Sequence, residues 1–257
     1  MTETPVNVEA RWKSLYLIGA IAALVAAVGF RRNMGAEMTM FFGAAPKTAV
    51  GWFALLQNNS LLGIISLNLF DVIDYALVGI IFLALYVTLR KTSRVFAAIA
   101  TSTCLIGIIV YVVSSTSFKM LSLSNQYTSA STTAQKTTLL VAAQTVLAKG
   151  IPGAGFQGVG GVVSMFLIAV AGLMISVVIL RSKIFYKITG YVGILASVFD
   201  LAYLLGVWIM PSVNFYLWSS ALVGGAGLLL MIWHLLIGIK LYGIVGHRTP
   251  RVVTTNE

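Results

Sequence analysis

Residues 61–89 read LLGIISLNLFDVIDYALVGIIFLALYVTL, an apolar run whose only charged residues are Asp71 and Asp74. A helix that crosses the hydrocarbon core of a bilayer needs about 20 mostly apolar residues. The run exceeds this length, and the basic pair Arg90–Lys91 follows it directly. The segment therefore predicts a membrane-spanning helix that carries two acids inside it.

The composition of the whole chain indicates the same class of protein. Hydrophobic residues make up 59% of the 257 residues and charged residues 9%, against roughly 45–50% and roughly 25% in a soluble domain. Disorder is excluded as well, because it requires low hydrophobicity and high charge. The net charge of +10 does not require a nucleic-acid partner, since membrane proteins keep Lys and Arg at their cytoplasmic helix ends. We expect an integral membrane protein that binds no nucleic acid.

Six apolar stretches predict an all-α fold, a polytopic bundle of six transmembrane helices that forms one membrane domain over residues 1–257. The predicted spans cover residues 14–30, 61–89, 95–117, 160–180, 188–210 and 216–239. Arg11 and Lys13 before the first run also fit a signal peptide. We expect a retained first helix, because the run lacks a clear cleavage site and Arg31–Arg32 follow it.

Basic residues predict the orientation of the bundle, because cytoplasmic loops carry an excess of Lys and Arg. With both termini inside, the cytoplasmic segments hold 11 basic residues and the outer segments hold 6. The short turns Arg90–Arg94 and Arg181–Lys187 favour this orientation most directly, and Arg31–Arg32 oppose it. We expect a protein of the cytoplasmic membrane with an N-in, C-in topology.

The two long outer loops, residues 31–60 and 118–159, contain helical patterns of their own. Trp52–Leu56 in the first loop is typical of a short interfacial helix. In the second loop, Thr132 and Gln135 match a capping box that would open a helix over Thr133–Lys149. Its predicted apolar face carries Leu139, Ala143 and Val146. We expect an amphipathic helix that lies over the outer membrane face.

Three acids, Asp71, Asp74 and Asp200, lie inside predicted spans. A charge near the bilayer centre costs at least about 2.5–3.5 kcal/mol, so such groups face protein or water and often mark function. Asn68 precedes Asp71 by the same three residues that separate Asp71 from Asp74, which predicts one shared helix face. Two carboxylates one turn apart disfavour joint ionisation and can share a proton.

Depth along the helices, counted at about 1.5 Å per residue from their cytoplasmic ends, suggests which groups meet. Asp74, Tyr111, Asp200 and Tyr203 fall into one layer in the outer half of the bilayer, Asp71 lies above them, and His234 lies well below. The candidate intramembrane polar site comprises Asn68, Asp71, Asp74, Tyr111, Asp200, Tyr203 and His234. Two interpretations remain open: a proton path, or buried acids whose hydrogen bonds fix helix register.

Cofactor ligands are scarce in the predicted spans. The absence of Lys inside them removes a retinal Schiff base, and His234 alone cannot supply a bis-His haem. Asp71, Asp74, Asp200 and His234 form a weak candidate metal set of a type that suits zinc or manganese, although their depths differ. We therefore predict no cofactor, no resident metal and no catalytic residue.

Three segments carry a family likeness. They are Asn68–Asp74, Leu121–Tyr127 followed by Leu139–Gln144, and Arg181–Lys183 followed by Gly190–Gly193. Together they resemble an uncharacterised prokaryotic membrane family, the domain-of-unknown-function family DUF4386, over most of the chain from about Leu61. The resemblance implies a six-helix polytopic protein and implies no activity.

The sequence leaves three functions open. The favoured interpretation is a non-catalytic accessory or structural subunit of a larger membrane complex, because helix faces of small residues allow close packing with other subunits. The second is a small transporter or proton-coupled carrier that uses Asp74 and Asp200. The third is an intramembrane metal-dependent enzyme. In each case the lipid bilayer is the immediate partner.

Overall fold

The computed structural model describes residues 12–29, 46–67, 69–148, 158–209 and 213–246. Within these ranges every regular element is an α-helix, which confirms the all-α prediction for this part of the chain. The helices are α1 (Lys13–Gly29), α2 (Ala49–Asn58), α3 (Ser60–Ser66), α4 (Leu69–Leu89), α5 (Arg94–Ser114), α6 (Thr116–Ser129), α7 (Thr133–Ala148), α8 (Gly158–Arg181), α9 (Lys187–Ile209) and α10 (Val213–Gly246). Asn68, Arg31–Arg32 and residues 149–157 of the second predicted loop lie outside the described residues.

Five stretches of these helices are long and apolar enough to cross a membrane. They lie in α4, in α5 with its continuation α6, and in α8, α9 and α10. Helix α1 is apolar but has only 17 residues. The chain is therefore a multi-pass membrane protein by the length and composition of its helices.

The predicted second span, residues 61–89, is divided into α3 and α4, so the prediction of one helix was wrong here. Leu67 ends α3, where its N–H donates to the carbonyls of Gly63 and Ile64 and its ψ of 7° departs from helical geometry. A helix of that length would measure about 43 Å, against a hydrocarbon core of about 30 Å. The first part of the run packs outside the spanning helices instead.

The other predicted spans differ less from the structure. Helix α5 ends at Ser114 rather than residue 117, because Ser115 has an extended ψ of 131°. The Nζ of Lys119 donates to the Ser114 carbonyl at 3.0 Å, which satisfies an acceptor that the helix end leaves open. Helices α8 and α9 match their predictions to within two residues, and α10 extends beyond its predicted span at both ends.

The six long helices pack as a closed ring. Its order is α1, α4, α5, α8, α9 and α10, and α10 packs back against α1. Short turns at residues 90–93 and 182–186 place α5 beside α4 and α9 beside α8 in antiparallel pairs. The end of the ring at these turns is called the basic end, and the opposite end the cap end.

Small residues bring the ring helices close together. Ala23 on α1, Ala84 on α4, Ala97 on α5 and Ala171 on α8 are all fully buried in one core cluster. Without a hydrophobic driving force between helices in lipid, such residues favour association by letting backbones approach. Close contacts between helix backbones, as well as contacts between large side chains, therefore hold the ring together.

The described parts of the predicted outer loops, residues 46–60 and 118–148, are largely helical, and α2, α3, α6 and α7 together form a helical cap. Its core contains Ala49, Trp52, Phe53, Leu56, Leu67, Met120 and Ala143. Trp52, Phe53 and Leu56 are thus buried between cap helices, and the prediction of an interfacial membrane helix was wrong for them. The cap can bury these side chains because α6 and α7 supply the opposing apolar surface.

The capping box of α7 is confirmed. The Gln135 N–H donates to Thr132 Oγ1 at 3.2 Å, and the Thr132 N–H donates to Gln135 Oε1 at 3.3 Å. These two bonds satisfy donors that a helix start leaves without intrahelical partners. Helix α7 packs on α2 and α6 through its apolar side, so it contributes to the cap core.

We expect Gly193→Ala to destabilise the ring. A Cβ at Gly193 would collide with Ser176 Oγ on α8 and with the Trp233 indole on α10, and overpacking of this kind costs about 1–3 kcal/mol. Thermal unfolding of the purified protein in detergent measures the effect. Gly243→Ala is the matched control, because nothing described lies within 4 Å of its added Cβ. Equal melting temperatures for the two variants would contradict the packing described here.

Candidate functional site

Two of the predicted site residues lie on α4 near the cap end. Asp71 occupies the first turn of the helix and is exposed, and Asp74 is half-buried one turn further along. The two carboxyl groups interact electrostatically, as residues three apart on a helix share a face. Within the described residues, no cation offsets Asp74 or Asp200.

Tyr111 connects α5 to this pair of acids. Its hydroxyl donates a hydrogen bond to Asp71 Oδ2 at 3.1 Å, and its side chain is buried. The antiparallel pairing explains the contact, because Asp71 lies 18 residues before Leu89 and Tyr111 lies 17 residues after Arg94. Depth counting had placed Tyr111 with Asp74 and below Asp71. One helical turn separates the two acids, so depth alone could not identify the acceptor.

Tyr75 interacts with the three acids of the described residues, and sequence reasoning missed it. Its ring packs against the Tyr111 ring with centroids 4.2 Å apart. Its phenol also interacts electrostatically with Asp71, Asp74 and Asp200. The signal was present in the sequence: Tyr75 follows Asp71 by four residues and so shares its helix face.

Asp200 and Tyr203 lie on α9, on the far side of the ring from α4. Asp200 is half-buried and interacts with Tyr75 although α9 and α4 are not ring neighbours. The interaction therefore crosses the interior of the ring. Tyr203 is buried in a separate cluster with Val162 and Leu204. The hydrogen bond and the ring contact assemble Asp71, Tyr75 and Tyr111, with Asp74 and Asp200 beside them.

His234 is buried nearer the basic end, where its ring lies 5.2 Å from that of Trp233. Trp233 in turn packs against Phe82, with ring centroids 6.3 Å apart. Phe82 follows Asp74 by two turns of α4, or about 12 Å along the helix axis. The structure thus places His234 in a different layer from the acids, as the sequence-based depths indicated.

Further polar groups lie near Trp233, around Gly193 on α9. The Ser176 hydroxyl and the Trp233 indole N–H both approach Gly193 from neighbouring helices. Neither has a hydrogen-bond partner among the residues that the structure describes. Ser197, one turn beyond Gly193 on α9, donates to the Gly193 carbonyl at 2.8 Å. Polar groups therefore occur along α9 from Gly193 to Asp200.

The weak metal set from the sequence is not assembled as a site. Among the described ranges, no three side chains of His, Cys, Asp or Glu are grouped so that they could hold a metal ion. Asp71, Asp74, Asp200 and His234 all fall within those ranges. The geometry brings together carboxyl and phenol groups, which can bind protons or small cations and exchange protons through hydrogen bonds.

Comparison with known proteins found no match to a family model, to a curated protein or to a solved structure.

Proposed function

We propose that the chain is a six-span protein of the cytoplasmic membrane with both termini on the cytoplasmic side. Helix α1 is the sixth span: it belongs to the ring, its 17 residues reach the lower limit for a spanning helix, and Ile18, Ile21 and Val25 point outward from it. The basic turns at one end of the ring support the orientation, since Lys and Arg concentrate on the cytoplasmic side.

We further propose that the protein is a small proton-coupled carrier whose protonatable site lies inside the ring. The observation that carries this proposal is the Tyr111–Asp71 hydrogen bond, with the Tyr75 ring packed against Tyr111 and its phenol in electrostatic interaction with Asp71, Asp74 and Asp200. Ionisable groups inside a membrane are costly and typically mark ion pathways or proton relays. Here the ionisable groups come from three helices, α4, α5 and α9. A hydrogen bond that only stabilised the fold would need two.

The absence of offsetting cations beside Asp74 and Asp200 in the described residues strengthens the proposal. A buried acid without a cation partner is neutral when protonated and charged when it releases the proton. A cation or a proton that enters the site supplies the missing charge. Coupling of transport to a proton requires such a site, which alternates between a protonated neutral form and a charged form that attracts a cation.

The helical cap supports an entry path from the outer side. The Ser117 hydroxyl donates to the Leu67 carbonyl at 2.7 Å, which ties the start of α6 to the end of α3. Leu67 lies one turn before Asp71, so this tie fixes the cap at the same end of the ring as the exposed acid. Solute from outside would reach Asp71 first, and Asp74 and Asp200 next.

A second candidate function, an accessory subunit of a larger membrane complex, is favoured by one observation. A Cβ at Gly224 or Gly227 would meet nothing within 4 Å among the described residues, whereas one at Gly238 on the same helix would meet Leu24 and the Ala20 backbone. The part of α10 toward the cap end thus offers a small-residue face that another helix could pack against. Membership in the DUF4386 family, proposed from its motifs, is compatible with either function.

The proposed topology predicts opposite labelling of two engineered cysteines. In a Cys104→Ala background, Lys91→Cys lies in a turn at the basic end and Lys136→Cys lies on the cap. A membrane-impermeant maleimide added to intact cells should label the cap position and should label the turn position only after the membrane is opened. The reverse pattern would contradict the N-in, C-in proposal, and equal labelling of both positions in intact cells would contradict placement of the cap and the turn on opposite sides.

The carrier proposal predicts that protein in vesicles dissipates an imposed pH gradient when Na⁺ or K⁺ is supplied on the opposite side to exchange for the proton, and that Asp74→Asn or Asp200→Asn reduces this flux to the level of protein-free vesicles. The amide cannot exchange the proton that the carboxyl group exchanges. A pH-sensitive dye inside the vesicles measures the flux. Asp200→Glu is the matched control, because it keeps the carboxyl group and should retain flux. Wild-type flux in both Asn variants would refute the role of these acids.

The subunit candidate predicts a partner bound to the open face of α10. Purification from native membranes in mild detergent should then yield a complex with a second membrane protein in fixed ratio. Gly224→Leu should release this partner and leave the fold intact, because the added side chain projects into open space. A monodisperse protein without a partner would argue against this function and leave the carrier proposal standing.

A further inference from the structure

The basic end of the ring combines charge and apolar surface in one place. The described residues there include the basic side chains Lys13, Arg90, Lys91, Arg94, Arg181, Lys183, Lys187 and Lys240. No acid lies among them, because the three described acids are Asp71, Asp74 and Asp200. This end therefore has the charge that complements an anionic surface.

One part of this surface is held in a fixed arrangement. The turn at residues 182–186 is anchored by Phe185, whose side chain is buried in the core of the ring. Its N–H donates to Ser182 Oγ at 3.5 Å, and the Ser182 hydroxyl donates to the Ile179 carbonyl at 2.9 Å. Lys183, Tyr186 and Lys187 are left exposed around this anchor.

Lys240 on α10 completes the group. Its Nζ lies 5.0 Å from the centre of the Tyr186 ring, a cation–π contact that holds the ammonium group in position. Tyr186 itself is 65% exposed. Lys240 thus contacts the exposed Tyr186, and the exposed Lys183 and Lys187 lie three residues before and one residue after that tyrosine in the chain.

Exposed apolar side chains flank this group along α9 and α10. On α9 they are Ile188, Tyr191 and Leu195, and on α10 they are Leu235, Ile239 and Tyr242. Within each helix their spacing of three or four residues defines one stripe. A ligand with a charged head and long apolar chains would satisfy both parts of this surface.

We propose that Lys183, Tyr186, Lys187 and Lys240 form a binding site for the headgroup of an anionic phospholipid, whose acyl chains lie along α9 and α10. Basic pockets between membrane helices bind such headgroups, and the phenol of Tyr186 adds a hydrogen-bond donor at the level of the interface. The site is separate from the acids near the cap end, and it would serve a carrier or a subunit equally.

The test measures lipid binding to the full-length protein in neutral detergent by native mass spectrometry. Phosphatidylglycerol and phosphatidylcholine with identical acyl chains are the two probes. We expect preferential binding of phosphatidylglycerol. Because each lysine near an anionic surface contributes about fivefold in affinity, the variant Lys183→Gln/Lys187→Gln/Lys240→Gln should lose on the order of a hundredfold.

Two controls separate a built site from diffuse charge. Arg90→Gln/Lys91→Gln/Arg94→Gln removes three charges from the other turn of the same end, and should retain most of the binding. Lys136→Gln removes a lysine that lies 5.7 Å from the Tyr127 ring on the cap, and should retain all of it. Equal loss in both triple variants, or equal binding of the two lipids by the wild type, would overturn the proposal.

A single substitution covers the case in which the triple variant does not fold. Tyr186→Ala removes an exposed ring and leaves every charge in place, and should weaken phosphatidylglycerol binding because Lys240 loses its support. Retained wild-type affinity in a folded Tyr186→Ala protein would also count against the site.

Discussion

The cost of placing charge in hydrocarbon governs where the charged side chains of this protein lie. In the described ranges, eight basic side chains lie at one end of the ring, and Lys47, Lys119 and Lys136 belong to the cap or lie beside it. The only acids there are three on the ring helices, and they come close enough to Tyr75 to interact with one phenol. Helix packing reflects the same scarcity of polar groups. Alanines and glycines let the helices approach closely and so favour their association.

Hydropathy predicted the ring helices well because a helix that crosses lipid must be long and mostly apolar. Helices α8 and α9 begin and end within two residues of the predicted bounds, and the Thr132–Gln135 capping box formed as expected. Hydropathy alone does not distinguish an apolar helix that lies in lipid from an apolar helix that is buried in protein. Residues 61–66 and Trp52–Leu56 were therefore assigned to the membrane, whereas the structure uses them to build the cap.

The candidate site shows a second limit of sequence reasoning. Counting residues along a helix gives a depth but not the direction in which a side chain points. It predicted one layer of Asp74, Tyr111, Asp200 and Tyr203, whereas the structure bonds Tyr111 to Asp71 and buries Tyr203 in a separate cluster. Tyr75 shares the helix face of Asp71, but a phenol carries no formal charge and does not stand out within an apolar span. The face of α4 that carries Asp71 and Tyr75, together with the antiparallel pairing of α4 and α5, determines which phenol reaches which carboxyl group.

The closed order of the ring has a consequence for how the protein is made. Helix α1 packs against α4 on one flank and against α10 on the other, and Gly238 on α10 fits against Ala20 and Leu24 on α1. During synthesis, α1 emerges well before α10, so one flank of α1 faces lipid or the insertion machinery until the opposite edge of the ring is available. Closure of the ring therefore requires contacts between its first and last helices, which are the two ring helices farthest apart in sequence.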